Sequence, residues 1–171
     1  MPVRRNFVRS AVDELLTRHK VLSPPVHVDE IARAEGVRVV FRDLRGDLSG
    51  FLLRRPDGSL IGVNNHHPLV RQRFTIAHEL GHYTLFRSDG VHVDHSFELR
   101  NRLASQGVDD REIEANLFAA ELLLPRRLLA ADVGVSIPID PFDDSVIERL
   151  AKRYKVSVQA LTIRLSDLQY I

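Results

Sequence analysis

The 171-residue chain contains no cysteine. Disulfides, thiolate nucleophiles and cysteine-ligated zinc are thereby excluded, and any bound metal has to be held by His, Asp or Glu. No apolar run approaches the roughly 20 residues that a membrane helix needs. The amino-terminal segment Met1-Pro2-Val3-Arg4-Arg5-Asn6-Phe7 is basic, but no apolar stretch follows it. That pattern speaks against a secretory leader and for the cytoplasm. Charge of one sign is also missing: 24 basic residues face 23 acidic ones, for a formal net charge of +1. A chain so balanced does not bind DNA or membranes over its whole surface. Internal repeats and low-complexity tracts are absent.

What is present is an ordinary globular composition, 44% hydrophobic and 27% charged, in a length suited to one domain with a real core. Apolar positions recur at helical spacing over residues 4–19 (Phe7, Val8, Ala11, Val12, Leu15 and Leu16). Ser23-Pro24-Pro25 interrupts the chain, and Asp29 to Glu35 reads as a short helix stopped by Gly36. Three β-rich stretches follow: Val37 to Phe41, Leu48 to Arg54 and Leu60 to Val63, the last two separated by the turn signal Pro56-Asp57-Gly58. They predict a small, mostly antiparallel, three-stranded sheet.

Pro68 suits the start of a long helix over 68–86. Residues 88–108 lack clear periodicity and read mostly as loop. Asp109-Asp110 opens a helix that runs to about Leu124 and ends at Pro125. A short helix over 126–131 is expected next, with Pro138 and Pro141 marking a connection. Ser145 to Tyr154 and Ser157 to Leu168 form a closing helix pair. The class is α+β. One domain spans 1–171: helices and sheet in 4–67, two central helices in 68–125 and a helical segment in 126–171.

Chemistry concentrates in Phe74-Thr75-Ile76-Ala77-His78-Glu79-Leu80-Gly81-His82, a His-Glu-x-x-His motif inside the long helix. Residues four apart share a helix face, so His78 and His82 can reach one metal ion. Zinc accepts imidazole nitrogen, and two His plus a carboxylate leave a position open for water. Glu79 would stand beside that water as general base. Gly81 inside the helix suits close approach by another segment. The third ligand is sought in Glu112-Ile113-Glu114-Ala115-Asn116-Leu117-Phe118-Ala119-Ala120-Glu121, whose small residues permit close helix packing. Glu112 and Asn116 share a face there, so Glu112 could ligate while Asn116 orients a ligand histidine. Glu114 is the competing ligand, about 200° around the helix from Glu112.

Arg71 to His82 resembles the signature of the ImmA/IrrE family of bacterial zinc metallopeptidases, and Glu112-x-Glu114-Ala115-Asn116-x-Phe118-Ala119-Ala120-Glu121-Leu122-Leu123-Leu124-Pro125 is similar to that family's second motif. The resemblance implies a zincin-like fold, one Zn2+ per chain, and Glu112 as the third ligand. It also implies a protein substrate: known members cleave helix-turn-helix repressors of the XRE type and switch on mobile-element or stress-response genes.

The expected activity is zinc-dependent endopeptidase chemistry. Tyr83, His92 and His95 are candidate oxyanion donors. Leu60-Ile61-Gly62-Val63-Asn64 is the chosen sheet edge for an extended substrate. His66 and His67 read as a solvated turn. The alternative is a non-catalytic regulator or interaction module on a degenerate zincin fold, binding DNA or a partner through the closing helix pair. That pair resembles a helix-turn-helix, with Ser157 as cap and Gln159, Thr162 and Arg164 as the polar side chains on offer. Most of the second helix is apolar, which favours a core-covering role and makes DNA binding the lesser expectation.

Overall fold

The computed structural model of the chain describes residues 2–45, 48–86, 90–95, 110–136 and 144–171, with the backbone alone for 90–95, 134–136 and 144. Helices α1 (Arg5–Arg18) and α2 (Val28–Ala34) precede strands β1 (Val37–Arg42), β2 (Leu48–Arg54) and β3 (Ser59–Asn64). The long α3 (Leu69–Leu85) follows, then β4 (Gly90–His95), α4 (Asp110–Leu123), α5 (Arg126–Ser136), α6 (Asp144–Tyr154) and α7 (Val158–Asp167). Gly36 closes α2 with φ +82°, a conformation that costs glycine nothing. None of the described helices is long and apolar enough to cross a membrane. The connection at Pro138 and Pro141, and the part of the expected loop beyond His95, lie outside the described residues.

The sheet is four-stranded, one strand more than expected, in the order β1-β3-β2-β4. It is mostly antiparallel: β2 runs antiparallel to β3 and to β4, while β1 runs parallel to β3. The added strand comes from the segment read as mostly loop. Its Val91 and Val93 alternate with polar residues, the period of two of a strand. The sheet also corrects the substrate-edge assignment. Leu60, Ile61, Gly62, Val63 and Asn64 belong to an internal strand, with Ile61 paired to Val39 on one side and Leu52 on the other. The physical reason is burial. All of β3 except the half-buried Leu60 is buried, and a near-continuous apolar run is what a strand covered on both faces requires. Asn64 is spent internally: its amide donates to the carbonyls of Leu44 (3.2 Å) and Leu48 (2.9 Å), and its Oδ1 accepts from the His66 N–H (3.0 Å).

Helix α3 packs on β2 and β3 and also on α4, which in turn receives α1. Every residue of α3 from Thr75 to His82 is buried. A helix covered all round is ordinarily apolar, so His78, Glu79 and His82 in that stretch stand out as buried polar groups that need partners.

The closing pair covers the core. Val146, Ile147, Leu150, Ala151 and Tyr154 of α6 and Leu161 and Leu165 of α7 are buried. Ser157 caps α7 as expected, its hydroxyl accepting from the Ala160 N–H at 3.1 Å. Arg73 of α3 ties this pair to the body by donating to the carbonyls of Lys155 (3.1 Å) and Val26 (2.8 Å). Arg164 is no candidate for reading DNA. It is 3% exposed, its guanidinium pairs with Glu121 of α4, and its Nε donates to the Leu124 carbonyl at 3.2 Å.

Tyr154 carries a testable consequence of this packing. It is fully buried, and its hydroxyl donates to Asp132 Oδ2 at 2.9 Å. Burial first, then the Asp132 hydrogen bond and negative charge, push its pKa far above the ordinary tyrosine value. A raised folded-state pKa gives a contribution fully present below the unfolded value of about 10 and lost as pH rises above it. Urea midpoints should therefore fall above pH ~10, and Tyr154→Phe should make that fall shallower. Equal alkaline slopes for the two proteins would rule Tyr154 out as a cause.

Candidate metal centre

Two helices build the centre. His78 and His82, one turn apart on α3, face Glu112 in the first turn of α4. His78 Nε2 lies 3.1 Å from His82 Nε2 and 3.4 Å from Glu112 Oε2, and His82 Nε2 lies 3.1 Å from Glu112 Oε1. Among the described residues this is the cluster of three whose ligand atoms lie close enough to share one ion.

The spacing suits a tetrahedral ion. Bonds of about 2.0–2.1 Å place neighbouring ligand atoms about 3.3 Å apart, close to the three separations here. The donor chemistry suits it too. Asn116, four residues after Glu112, accepts a hydrogen bond from His78 Nδ1 through Oδ1 at 3.0 Å. That bond puts the proton on Nδ1 and leaves the Nε2 lone pair directed at the cluster. Orientation of a ligand imidazole through its second nitrogen is a recurrent feature of metal sites. His78 is wholly buried and His82 nearly so, while Glu112 is partly exposed, so the cluster opens to solvent on the α4 side.

Glu112 and Glu114 have parted as their positions around the helix predict. Glu114 turns away from the histidines to Arg4, whose Nε (3.0 Å) and Nη2 (2.6 Å) hold the two carboxylate oxygens. The Arg4 hydrogen bond, acting against burial, keeps the Glu114 carboxyl below its ordinary pKa. Gly81 has the role anticipated for it. A Cβ there would meet Cβ and Cδ1 of Phe118 at 3.1 Å each, so the glycine allows α3 and α4 to approach closely enough for their side chains to share one point.

Glu79 follows His78 on α3 and is fully buried. Tyr83 is not gathered into the cluster. It lies five residues beyond His78, about 140° around the helix, and its hydroxyl donates to the Glu35 carbonyl (3.4 Å) at the end of α2. Its ring is covered by the Arg54 guanidinium, 4.6 Å from the ring centre. His92 and His95 stand on β4, opposite Leu52 and Leu48 of β2, and their side chains lie outside the described atoms. His66 is an exposed turn residue as expected, 3.2 Å from Asp43, whereas His67 is partly buried. Burial, then the positive charge of Arg71, lowers the pKa of His67.

Other side chains that carry no site signal in the sequence lie around the two helices. Arg4 and Arg9 reach Glu114 and Glu121 on the far side of α4. Phe86, just past α3, sets its ring 5.7 Å from that of His82. Arg4 and Phe86 carry no metal-ligand chemistry of their own, and nothing in their spacing marks them.

The family model described as the IrrE N-terminal-like domain matches residues 32–166. The chain is 30% identical over 119 residues to "Uncharacterized immunity region protein 2" of Bacillus phage phi105, covering 70% of this chain and 69% of that protein. It is 35% identical over 107 residues to Metallopeptidase ImmA of Bacillus subtilis (strain 168), covering 60% of this chain and 57% of the relative. A solved Mycobacterium tuberculosis transcriptional regulator shares the fold at a TM-score of 0.64 and 20% identity. That match covers 95% of this chain and 48% of the regulator, so the chain spans about half the length of that structure.

Proposed function

The chain belongs to the ImmA/IrrE metallopeptidase family, and from that premise we propose that it is a zinc-dependent endopeptidase centred on His78, His82 and Glu112. The single observation that carries this reading is the convergence of two Nε2 atoms and a carboxylate at 3.1–3.4 Å, beside a buried Glu79. Bound there, zinc would supply a Lewis acid that acidifies water and polarises the scissile carbonyl.

The chain's own residues do the rest. Asn116 fixes the ring of His78. Glu79 takes the proton from the attacking water on a carboxylate oxygen and hands it to the departing amine nitrogen. An extended substrate backbone pairs with an outer strand of the sheet. With β3 occupied on both sides, the outer strands among the described residues are β1 and β4; β4 takes that part because it pairs with β2, on which α3 packs, whereas β1 lies against α2. We assign the substrate as an XRE-type helix-turn-helix repressor, cleaved at a specific site in the cytoplasm with consequences for transcription or the stress response. The resemblance of the two motifs and the similarity to a phage immunity-region protein support this choice.

Metal stoichiometry tests the reading. Chain purified without chelator and back-titrated with zinc should carry about one ion per chain. Saturation at about 1,000 times the dissociation constant should stabilise the fold by ~4 kcal/mol, seen as a rise in Tm. His78→Ala should lose both the ion and the stabilisation. A wild-type chain that takes no zinc, or a His78→Ala chain that keeps it in full, would remove the ligand set. Incubation of the loaded protein with candidate repressors, read by mass spectrometry, then tests the substrate assignment.

A further inference from the structure

Glu112 is the third residue of α4, inside the turn where a helix is least secure. The first turn of any helix carries unsatisfied N–H groups and frays unless something outside holds it. Among the described residues one contact, just past that turn, comes from the far end of the sequence. Arg4, at the start of α1, gives Glu114 three hydrogen bonds: backbone N–H to Oε1 (2.8 Å), Nε to Oε1 (3.0 Å) and Nη2 to Oε2 (2.6 Å). The Glu114 side chain is 4% exposed, so this is a paired fork around a buried carboxylate rather than a loose surface contact.

The arrangement serves both helices. Helix α1 has no acidic residue in its first turn and no side-chain cap of its own. The Glu114 carboxylate stands at that positive end, where an anion is stabilised by the helix dipole. In return, α4 is tied two residues after its metal-facing glutamate. A second connection runs through Phe86. The guanidinium of Arg4 lies 5.8 Å from the Phe86 ring centre and that of Arg111, from the first turn of α4, lies 5.5 Å from it. The same ring lies 5.7 Å from that of His82. Arg4 thus touches the supports of both Glu112 and His82 while touching neither ligand.

We propose that Arg4 is a positioning residue for the metal centre, holding the first turn of α4 through Glu114 so that Glu112 meets His78 and His82. The proposal rests on the metal-centre reading above. Its readout is metal affinity, not turnover. A built-in comparison is available, because Arg9 pairs with Glu121 across the same two helices, farther along α4 from Glu112 (Nε to Oε1, 3.0 Å). A merely structural α1–α4 contact would make the two arginines equivalent.

The experiment measures zinc dissociation constants by competition with a chromogenic chelator, for wild type, Arg4→Ala, Arg4→Lys, Glu114→Gln and Arg9→Ala. Far-UV circular dichroism confirms that each is folded. Arg4→Ala should weaken zinc binding by about tenfold or more, the range found for residues that orient metal ligands. Arg4→Lys, which keeps the charge but loses the fork, should fall between wild type and Arg4→Ala. Glu114→Gln should also weaken binding, and Arg9→Ala should leave it near wild type. In the zinc-free proteins, amide exchange at Ile113 to Asn116 should quicken in Arg4→Ala and not in Arg9→Ala. Wild-type zinc affinity in Arg4→Ala, or an equal loss in Arg9→Ala, overturns the proposal and leaves the metal centre standing. Failure of wild type to bind zinc removes the metal centre and this proposal with it.

Discussion

Glu79→Gln is expected to leave the protein folded and able to bind one zinc while lowering peptide-bond hydrolysis by about 10²–10⁴-fold. In barrier terms that is about 3–5 kcal/mol. The substitution is close to isosteric, so it fills the same fully buried space on α3 and keeps the packing that the wholly covered segment from Thr75 to His82 requires. What it removes is basicity. An amide cannot accept the proton of the attacking water at neutral pH, nor deliver one to the leaving amine. Zinc content should be unchanged, because the ligands proposed are His78, His82 and Glu112. The measurement is paired: metal analysis and cleavage rate on the same preparation. Cleavage at the wild-type rate with zinc in place would show that another group is the base. Loss of zinc along with activity would show that Glu79 belongs to the ligand set.

Arg164→Ala should have the largest effect on stability, about 3–5 kcal/mol. Arg164 and Glu121 are both nearly enclosed, and Arg9 donates to the same Glu121 oxygen from the other side. Removing Arg164 leaves the buried Glu121 carboxylate to the half-exposed Arg9 and leaves the Leu124 carbonyl, at the end of α4, without its donor. Replacing Glu121 and Arg164 together by Met should cost much less, since an apolar pair of similar volume avoids both desolvation terms. Urea denaturation of wild type, the single variant and the double variant separates these outcomes. A single-variant loss below ~1 kcal/mol would mean that the pair does not hold α7 to α4. The same result bears on the closing helices as a DNA reader. Loss of DNA binding in Arg164→Ala would report unfolding, not a lost base contact.

The elements whose signals are local were legible. The predicted helices over 4–19, 68–86 and 145–154 appear at Arg5–Arg18, Leu69–Leu85 and Asp144–Tyr154, with the Ser157 cap in place. His78 with His82, and Glu112 with Asn116, share faces because a turn of helix puts residues four apart side by side whatever surrounds it. The small residue at Gly81 marked a close approach, and Phe118 supplies it. Two further local signals lie in the sequence. The unbroken Leu60-Ile61-Gly62-Val63 run indicated a covered strand rather than an edge, and the alternation through Val91 and Val93 indicated a strand rather than a loop.

Other features have no local signal at all. Helix geometry separates Glu112 from Glu114 and the second motif favours Glu112, but what holds Glu114 instead has no signal until α1 is in place. Arg4, 110 residues from Glu114, then claims it. Tyr83 looked available until α2 offered the Glu35 carbonyl, and Arg164 looked like a surface cation until α7 lay against Glu121. The sequence by itself determined the helices and the placing of His78 and His82 on one helix face, because helical periodicity is set by hydrogen bonds between near neighbours. Tertiary structure alone decided what holds Glu114, how the sheet strands pair and which arginines are buried. Those outcomes depend on the pairing of buried charges and backbone edges between segments far apart in the chain, and only the packed fold brings them within reach of one another.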